Sequence, residues 1–421
     1  MWQWIKIRIA TKKLKNLWQM PRGGVVVPDN GSKRHGGGGT PAGEGPPAAG
    51  TREHAPINLR VTRLSIETQT LLAELLEHMR STEFAKSFSD LKGTFTARER
   101  GDGVYWYFRT TGGLGSNVKD FYIGPDDDKT RAIMKSYQAG RPDAEARADR
   151  IRRLSAMLRG GDLIITDTDS TRIIRGFAEA GVFRLGGILV GTHAFAAIGT
   201  SLGVRWPSAL KTTDIDFSAY AKRIDLGIPQ TPQTMASIPR VIEALEMGFV
   251  PSLHLSLKHR ECQATSYNIP GADWRIDLVT ATMGANLDNP IEIPRLGAYA
   301  QPLPFMDYLL ERTMDAVIVG NTAVLVRVPE PARFAVHKLL VASNRGPQSA
   351  LKADKDRLQS ALLMSHLERE WPGNLTLAAE DAISRGSSWA KRIRQEAERL
   401  PLSCTELKAT IASLRPKGKT V

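Results

Sequence analysis

Apolar positions along this chain switch repeatedly between helical and strand spacing. The stretch SIETQTLLAELLEHMRSTEFAKSF, from Ser65, places apolar residues at helical intervals among strong helix formers and predicts a long helix. Next, the β-formers Val104–Phe108 sit between Gly-rich turns and predict a hairpin or small antiparallel sheet. A charged helical pattern then runs from Asp126 to Arg159. Beyond it, Ser170 or Asp169 caps a helix through Ala180, Phe183–Val190 reads as a buried strand, and Thr192–Leu202 as a helix of small residues. DIDFSAY is a short strand, Pro232–Met247 a helix, and the apolar runs around Leu253, TSYNI and WRIDLVT are further strands. From Pro329 the pattern is mostly helical, beginning with EPARFAVHKLLVASNR and SALKADKDRLQSALLMSHLERE. No internal repeat interrupts this order.

The pattern divides the chain into a basic Gly/Pro-rich tail (1–55) and an N-terminal α+β region (56–160). A sheet-bearing core (161–328) and a C-terminal helical domain (329–421) follow. The fold class is α+β, with an α/β core of alternating strands and helices. The tail has linker composition, with GGGG and PAGEGPPAAG, and is expected to be disordered. Its first twenty residues mix Trp and Ile with Lys and Arg, which suits either an amphipathic surface segment or an unstructured basic tail. No apolar run reaches the length of a membrane span, and charges interrupt the one stretch that resembles a secretory leader.

Composition alters this picture in two respects. Residues 1–60 hold ten Lys/Arg against three Asp/Glu, so +7 of the net +13 resides there and the body is only mildly basic. A mildly basic body is compatible with a phosphate-rich partner such as a nucleotide or RNA. Only two cysteines, Cys262 and Cys404, occur, far apart. They offer neither a zinc-ligand spacing nor a disulfide framework and fit a reducing compartment, so a cytoplasmic location is expected.

The chemistry-bearing stretch is TTDIDF, Thr212–Phe217. In a strand, residues i and i+2 share a face, so Asp214 and Asp216 point to one spot while Ile215 enters the core. Two adjacent carboxylates repel unless a divalent cation neutralises them, and Mg²⁺ suits a pair completed by water and phosphate oxygens. The similar TDTDS, Thr166–Ser170, reads instead as a turn or helix cap. Upstream of DIDF, the strand LGGILV runs into Gly191-Thr192 and a helix, placing backbone N–H groups where a phosphate binds. Downstream, WRIDLVT adds Asp277 within an apolar strand, where an unpaired charge is costly. Three strand carboxylates beside such a turn suit metal-assisted phosphoryl or nucleotidyl transfer.

GTHAFAAIGTSLGV…TTDIDF resembles the signature of the polymerase-β-like nucleotidyltransferase superfamily, in which a Gly-rich turn precedes an Asp-x-Asp strand and a third carboxylate follows. It is similar to the AbiEii-type branch, with Arg205 and Thr213 in comparable places. Across roughly Gly93–Leu367, YWYF, YIGP, TTDIDF, ATSYNIPG, RIDLVT and VPEPARFAVHKLLVA also resemble a bacterial group of nucleotidyltransferase-domain proteins. Gly191-Thr192 replaces the more usual Gly-Gly or Gly-Ser, and the spacing to Asp214 is longer than in minimal members. The resemblance implies a polymerase-β-like sheet and transfer of an NMP from an NTP, with Mg²⁺ or Mn²⁺ as cofactor. It implies Asp214 and Asp216 as metal ligands and Asp277 as third ligand or base. It further implies Gly191, Thr192, Arg205 and Thr213 at the nucleotide. From the helices it adds Lys338, Arg345 and Lys352 on the phosphates, with Lys355 and Asp356 as weaker candidates.

Some alternatives stay open at the level of sequence. Lys338 either snorkels or reaches an anion, and Lys352, Lys355 and Asp356 also read as a solvated helix face. His193 either touches substrate or packs, and His337 packs. Tyr105, Trp106 and Tyr107 either stack on bases or fill a hairpin core. The acceptor is RNA (a tRNA end, as in toxin-like relatives), a protein hydroxyl or a small molecule. The rival readings are a non-catalytic protein holding RNA or a partner on the same fold, and a metal-dependent nuclease.

Overall fold

A computed structural model describes residues 61–101, 103–111, 120–207, 212–219, 236–254, 263–282, 289–400 and 405–413. The expected tail, 1–55, and both cysteines lie outside the described residues.

The N-terminal region opens with a short strand, β1 (Thr62–Arg63), and helix α1 (Ile66–Phe84), whose N-cap Ser65 accepts the amide of Thr68. Three antiparallel strands follow: β2 (Gly93–Arg100), β3 (Gly103–Thr110) and β4 (Asp120–Pro125). Helix α2 (Asp128–Arg159) is capped by Asp127. One face of this small sheet packs as a cluster of rings, with Phe95 and Phe108 against Phe88 and Tyr137 at centroid separations of 4.9–6.2 Å.

Helix α3 (Thr168–Glu179) is capped by Asp167, which accepts the Ser170 amide at 2.8 Å. The cap therefore lies two or three residues earlier than expected, because Asp167 holds the extended backbone that a cap requires while Asp169 and Ser170 are already helical. TDTDS is thus a helix start. After it come β5 (Gly187–Val190), α4 (Gly191–Ser201), β6 (Val204–Arg205) and β7 (Asp214–Ala219). The strand before the glycine turn is shorter than expected, since Gly181 and Gly186 adopt positive φ and Phe183 sits in the turns between them. Helix α5 (Ile238–Ala244) leads to β8 (Val250–His254), β9 (Gln263–Asn268), β10 (Arg275–Ala281), β11 (Ile291–Ile293) and β12 (Ala298–Leu303).

Among the described residues, seven strands form the central sheet. Its spine runs β11-β12-β10-β7-β5, and β9, joined by β8, pairs with the start of β10. The β7–β10 and β10–β12 pairs are parallel, and β5 is antiparallel to β7. Alternation along β7 sends Ile215 and Phe217 into the core, where Phe217 stacks on Phe177 of α3 at 4.0 Å. Asp214 and Asp216 take the other face.

After α6 (Met306–Leu310), a separate hairpin forms from β13 (Thr313–Val319) and β14 (Ala323–Pro329). Its period of two serves two cores. Ala316, Ile318, Val324, Val326 and Val328 join the core of the central sheet. Val317, Val319, Ala323 and Leu325 face a second cluster formed with α1 and α2. The helices α7 (Pro331–Ser343), α8 (Ala350–Glu370), α9 (Pro372–Ser384), α10 (Ser387–Glu398) and α11 (Thr405–Ser413) follow. They share the central core, which extends from Ile173 to Ile411, and Ala55–Val421 forms one compact unit.

Buried Arg333 of α7 fastens this region. It donates to the Tyr308 carbonyl and to Glu311 and Asp381 at 2.6–3.0 Å, so its charge is paired and its fork filled. Among the described residues, no helix is long and apolar enough to cross a membrane.

Candidate active site

The site begins with register. Parallel pairing of β7 and β10 sets Asp216 directly beside Asp277, and Asp214 beside Arg275. Adjacent strands lie about 4.8 Å apart, so the Asp216 and Asp277 carboxylates are neighbours on one face. On the far side of β10, Asp277 pairs with Ser266 of β9. On the far side of β7, Asp216 pairs with Val190, the last residue of β5.

The chain turns at Gly191, immediately against Asp216. Gly191 has φ +67°, and a Cβ there would lie 2.0 Å from Asp216 Oδ2. A side chain is excluded on both counts. Helix α4 starts at this residue without a side-chain cap, so its first amides remain available beside the carboxylate. Thr192 lies in that first turn and is half-buried. His193 is buried, with Nε2 3.5 Å from Ser170 Oγ, and burial lowers its pKa to about 4. It is therefore neutral near pH 7.

The carboxylates interact strongly. Burial, then the Asp277 charge and more weakly Asp214, push the Asp216 carboxyl up to about 6. Lys338 and Lys355 oppose this rise, which brings both lysines within electrostatic reach of Asp216. Asp277 does not face the cluster alone. Arg275 Nε donates to it at 2.7 Å and also to Ser266 Oγ at 3.1 Å. Thr213 precedes the pair and donates to the Asp273 carbonyl at 2.9 Å, while the Thr212 hydroxyl accepts the Asp214 amide. These bonds tie the entry of β7 to the turn before β10.

Helices α7 and α8 supply the basic side. Asp356 of α8, with only 4% of its side chain exposed, accepts Lys338 Nζ at 2.8 Å and Arg345 Nε at 2.6 Å. The two cations hold its carboxyl below the usual carboxylate range in spite of burial. Lys338 thus reaches an anion, as one of the two sequence readings had it, and the partner is Asp356. Lys355 is half-buried, and burial followed by the Lys338 charge lowers its pKa, while Asp356, Asp214 and Asp216 pull it back up. Lys352, one turn earlier on α8, is exposed.

Two of the sequence-selected residues stand apart from the carboxylates. Arg205 belongs to β6, which pairs with β1, and its guanidinium donates to the Asp162 carbonyl at 3.4 Å. Lys352 faces solvent. The structure brings together Gly191, Thr192, Asp214, Asp216, Asp277, Lys338 and, through Asp356, Arg345. It also raises Lys355 and adds Arg275 and Ser266. Arg275 is the first residue of the RIDL motif, and Lys355 lies one residue from Asp356, but only the strand register and the helix pairing reveal their roles.

A divalent cation fits these residues. The donors are hard carboxylate oxygens, and burial and the Asp277 charge make ionised Asp216 costly in a way that a cation beside it would relieve. Among the described residues, no three His, Cys, Asp or Glu side chains already converge as a metal cluster. The fit is therefore to Mg²⁺ or Mn²⁺ held by one or two carboxylates, with substrate phosphate oxygens and water completing the shell.

Fold and site together define a class: a mixed α/β protein whose parallel strand pair presents carboxylates to a glycine turn and a lysine-bearing helix pair. The nucleotidyltransferase family model matches residues 168–384, just over half of the chain, and the chain belongs to that family. The matched stretch begins with the first residue of α3 and ends with the last of α9. It contains every carboxylate and lysine of the site. Neither the curated proteins nor the solved structures provide a match. Membership makes the chain a transferase that acts on a nucleoside triphosphate and moves its nucleoside monophosphate part.

Proposed function

We propose that this protein is a Mg²⁺- or Mn²⁺-dependent enzyme of the polymerase-β-like, AbiEii-like kind, transferring an NMP to a hydroxyl acceptor. One observation carries the reading: Asp216 lies in register with Asp277 and against the Gly191 backbone, with its carboxyl pushed up to about 6. Such a group calls for a cation, and the glycine turn beside it suits the phosphate that would accompany one.

Asp214 and Asp216 would hold the metal, which neutralises developing charge on the phosphoryl group when bound. Gly191 and the first amides of α4 cradle phosphate oxygens, with Thr192 at the same turn. Lys355 and Lys338 face the carboxylates and balance the triphosphate, and Asp356 fixes the direction of Lys338 and Arg345. Asp277, held by Arg275 at 2.7 Å, would accept the proton of the acceptor hydroxyl. Neutral His193 adds no charge to the turn.

The acceptor is RNA, a protein or a small molecule, and an NTP-using enzyme with two cysteines suits the cytoplasm. The test is incubation with each α-³²P-labelled NTP, Mg²⁺ or Mn²⁺, and total RNA or lysate, beside an Asp214→Ala/Asp216→Ala control. Metal-dependent label in RNA, protein or a small product supports transfer and names the acceptor class. Shortened RNA without label would replace it with a nuclease. Bound RNA without any label would leave a non-catalytic binder.

A further inference from the structure

The small sheet of β2, β3 and β4 lies outside the family match and has no part in the site above. Its two faces differ. One is closed by Phe88 and Tyr137 over Phe95 and Phe108. On the other, the register aligns Arg98 with Tyr105, Tyr107 with Tyr122, and Arg109 with Asp120. The Tyr107 and Tyr122 rings lie 5.5 Å apart, Tyr105 and Tyr122 lie 6.3 Å apart, and the Arg98 guanidinium covers Tyr107 at 4.5 Å. Tyr122 is 56% exposed.

An outward sheet face is usually polar, and this one carries three tyrosines. None of its paired positions holds Leu, Ile, Val or Met. Its charge is positive: Arg98, Arg109 and Arg100 stand against Asp120, which pairs with the first two. Aromatic planes and guanidinium groups without aliphatic anchors match bases and phosphates better than a protein core.

We propose that the outward face of β2–β4 binds single-stranded RNA, with bases stacked on Tyr105, Tyr107 and Tyr122 and phosphates on Arg98, Arg100 and Arg109. A three-stranded sheet is wider than the helix or two-stranded ribbon that a duplex groove admits, and unpaired bases with open faces belong chiefly to RNA loops and ends. The tyrosine hydroxyls can also bond a ribose 2′-hydroxyl. Whether RNA held here is also the acceptor rests on the transferase reading; the binding does not.

The test is fluorescence anisotropy of the full chain with a labelled ten-nucleotide RNA, the same sequence as DNA, and the RNA duplex. Tyr122→Ala is expected to weaken RNA binding about 5- to 150-fold, the range for loss of one base stack. Tyr122→Phe should retain most of the affinity, and Arg98→Ala should reduce the salt slope by about one. Asp214→Asn/Asp216→Asn should bind RNA as the unaltered chain does, which separates failure of this proposal from failure of the transferase reading. Any of three results overturns it: no saturable binding below roughly 100 µM, Tyr122→Ala within about twofold of the unaltered chain, or DNA or duplex bound as tightly as single-stranded RNA.

Discussion

Replacing Asp216 with Asn should stabilise the protein while abolishing its activity. The carboxyl titrates near 6 in the fold against 3.8 for the free side chain, because burial and the neighbouring Asp277 charge oppose its ionisation. A difference of about 2 units corresponds to about 3 kcal/mol at 1.36 kcal/mol per unit. Asp216 is only partly buried by area, so solvent screening makes this an upper bound. The sign follows from proton counting. Between pH 3.8 and 6 the folded chain binds more protons than the unfolded one, so wild-type stability falls as pH rises through that window. A neutral Asn escapes the loss. The assay is thermal melting of both proteins from pH 4 to 7 without divalent ions. The variant should gain little at pH 4 and on the order of 3–6 °C at pH 7, given the small shift per kcal/mol in a chain this large. Adding Mn²⁺ with a non-hydrolysable NTP should narrow the gap by stabilising the wild type. A variant that melts at or below the wild type at pH 7, or a gap that does not grow with pH, refutes the argument.

Three further substitutions probe the remaining parts. Gly191→Ala puts a methyl 2.0 Å from Asp216 Oδ2 at φ +67°, and should lower kcat on the order of 10²-fold in steady-state NMP transfer with secondary structure retained by circular dichroism. Lys355→Met removes a cation within reach of Asp214 and Asp216, and should raise the apparent Kd for NTP about 10- to 150-fold in a nucleotide titration. Asp356→Ala leaves Lys338 and Arg345 without their shared carboxylate, and should cost about 3–5 kcal/mol, seen as a lowered denaturation midpoint.

How much of this was legible in the sequence depends on how far each signal travels along the chain. Asp214 and Asp216 were legible because a strand's period of two acts within three residues, and the buried Ile215 and Phe217 report the same alternation from the core side. The Gly191 turn was legible as a strand running into a small-residue helix. The β13–β14 hairpin was not among the expected elements, although DAVIVGNTAVLVRV sets Gly-Asn between β-branched runs, and an apolar run does not say that its two faces serve two cores. Long-range pairing was not legible. Arg205 follows α4 closely in sequence, but β6 pairs with β1 and carries it to Asp162. The resemblance put Lys352 ahead of Lys355 on one helix, and the packing of α8 on α7 instead sets Lys355 within reach of the carboxylates while Lys352 is exposed.

The tyrosines of β3 show the same limit from the other side. YWYF reads equally as core or as stacking surface, and the choice falls residue by residue, with Phe108 inward and Tyr107 outward. Which face closes is decided by Phe88 and Tyr137, which lie 20 and 29 residues from Phe108 along the chain. A sequence therefore states the alternation, while the partner that arrives from elsewhere decides which half of it becomes core and which half remains available for function.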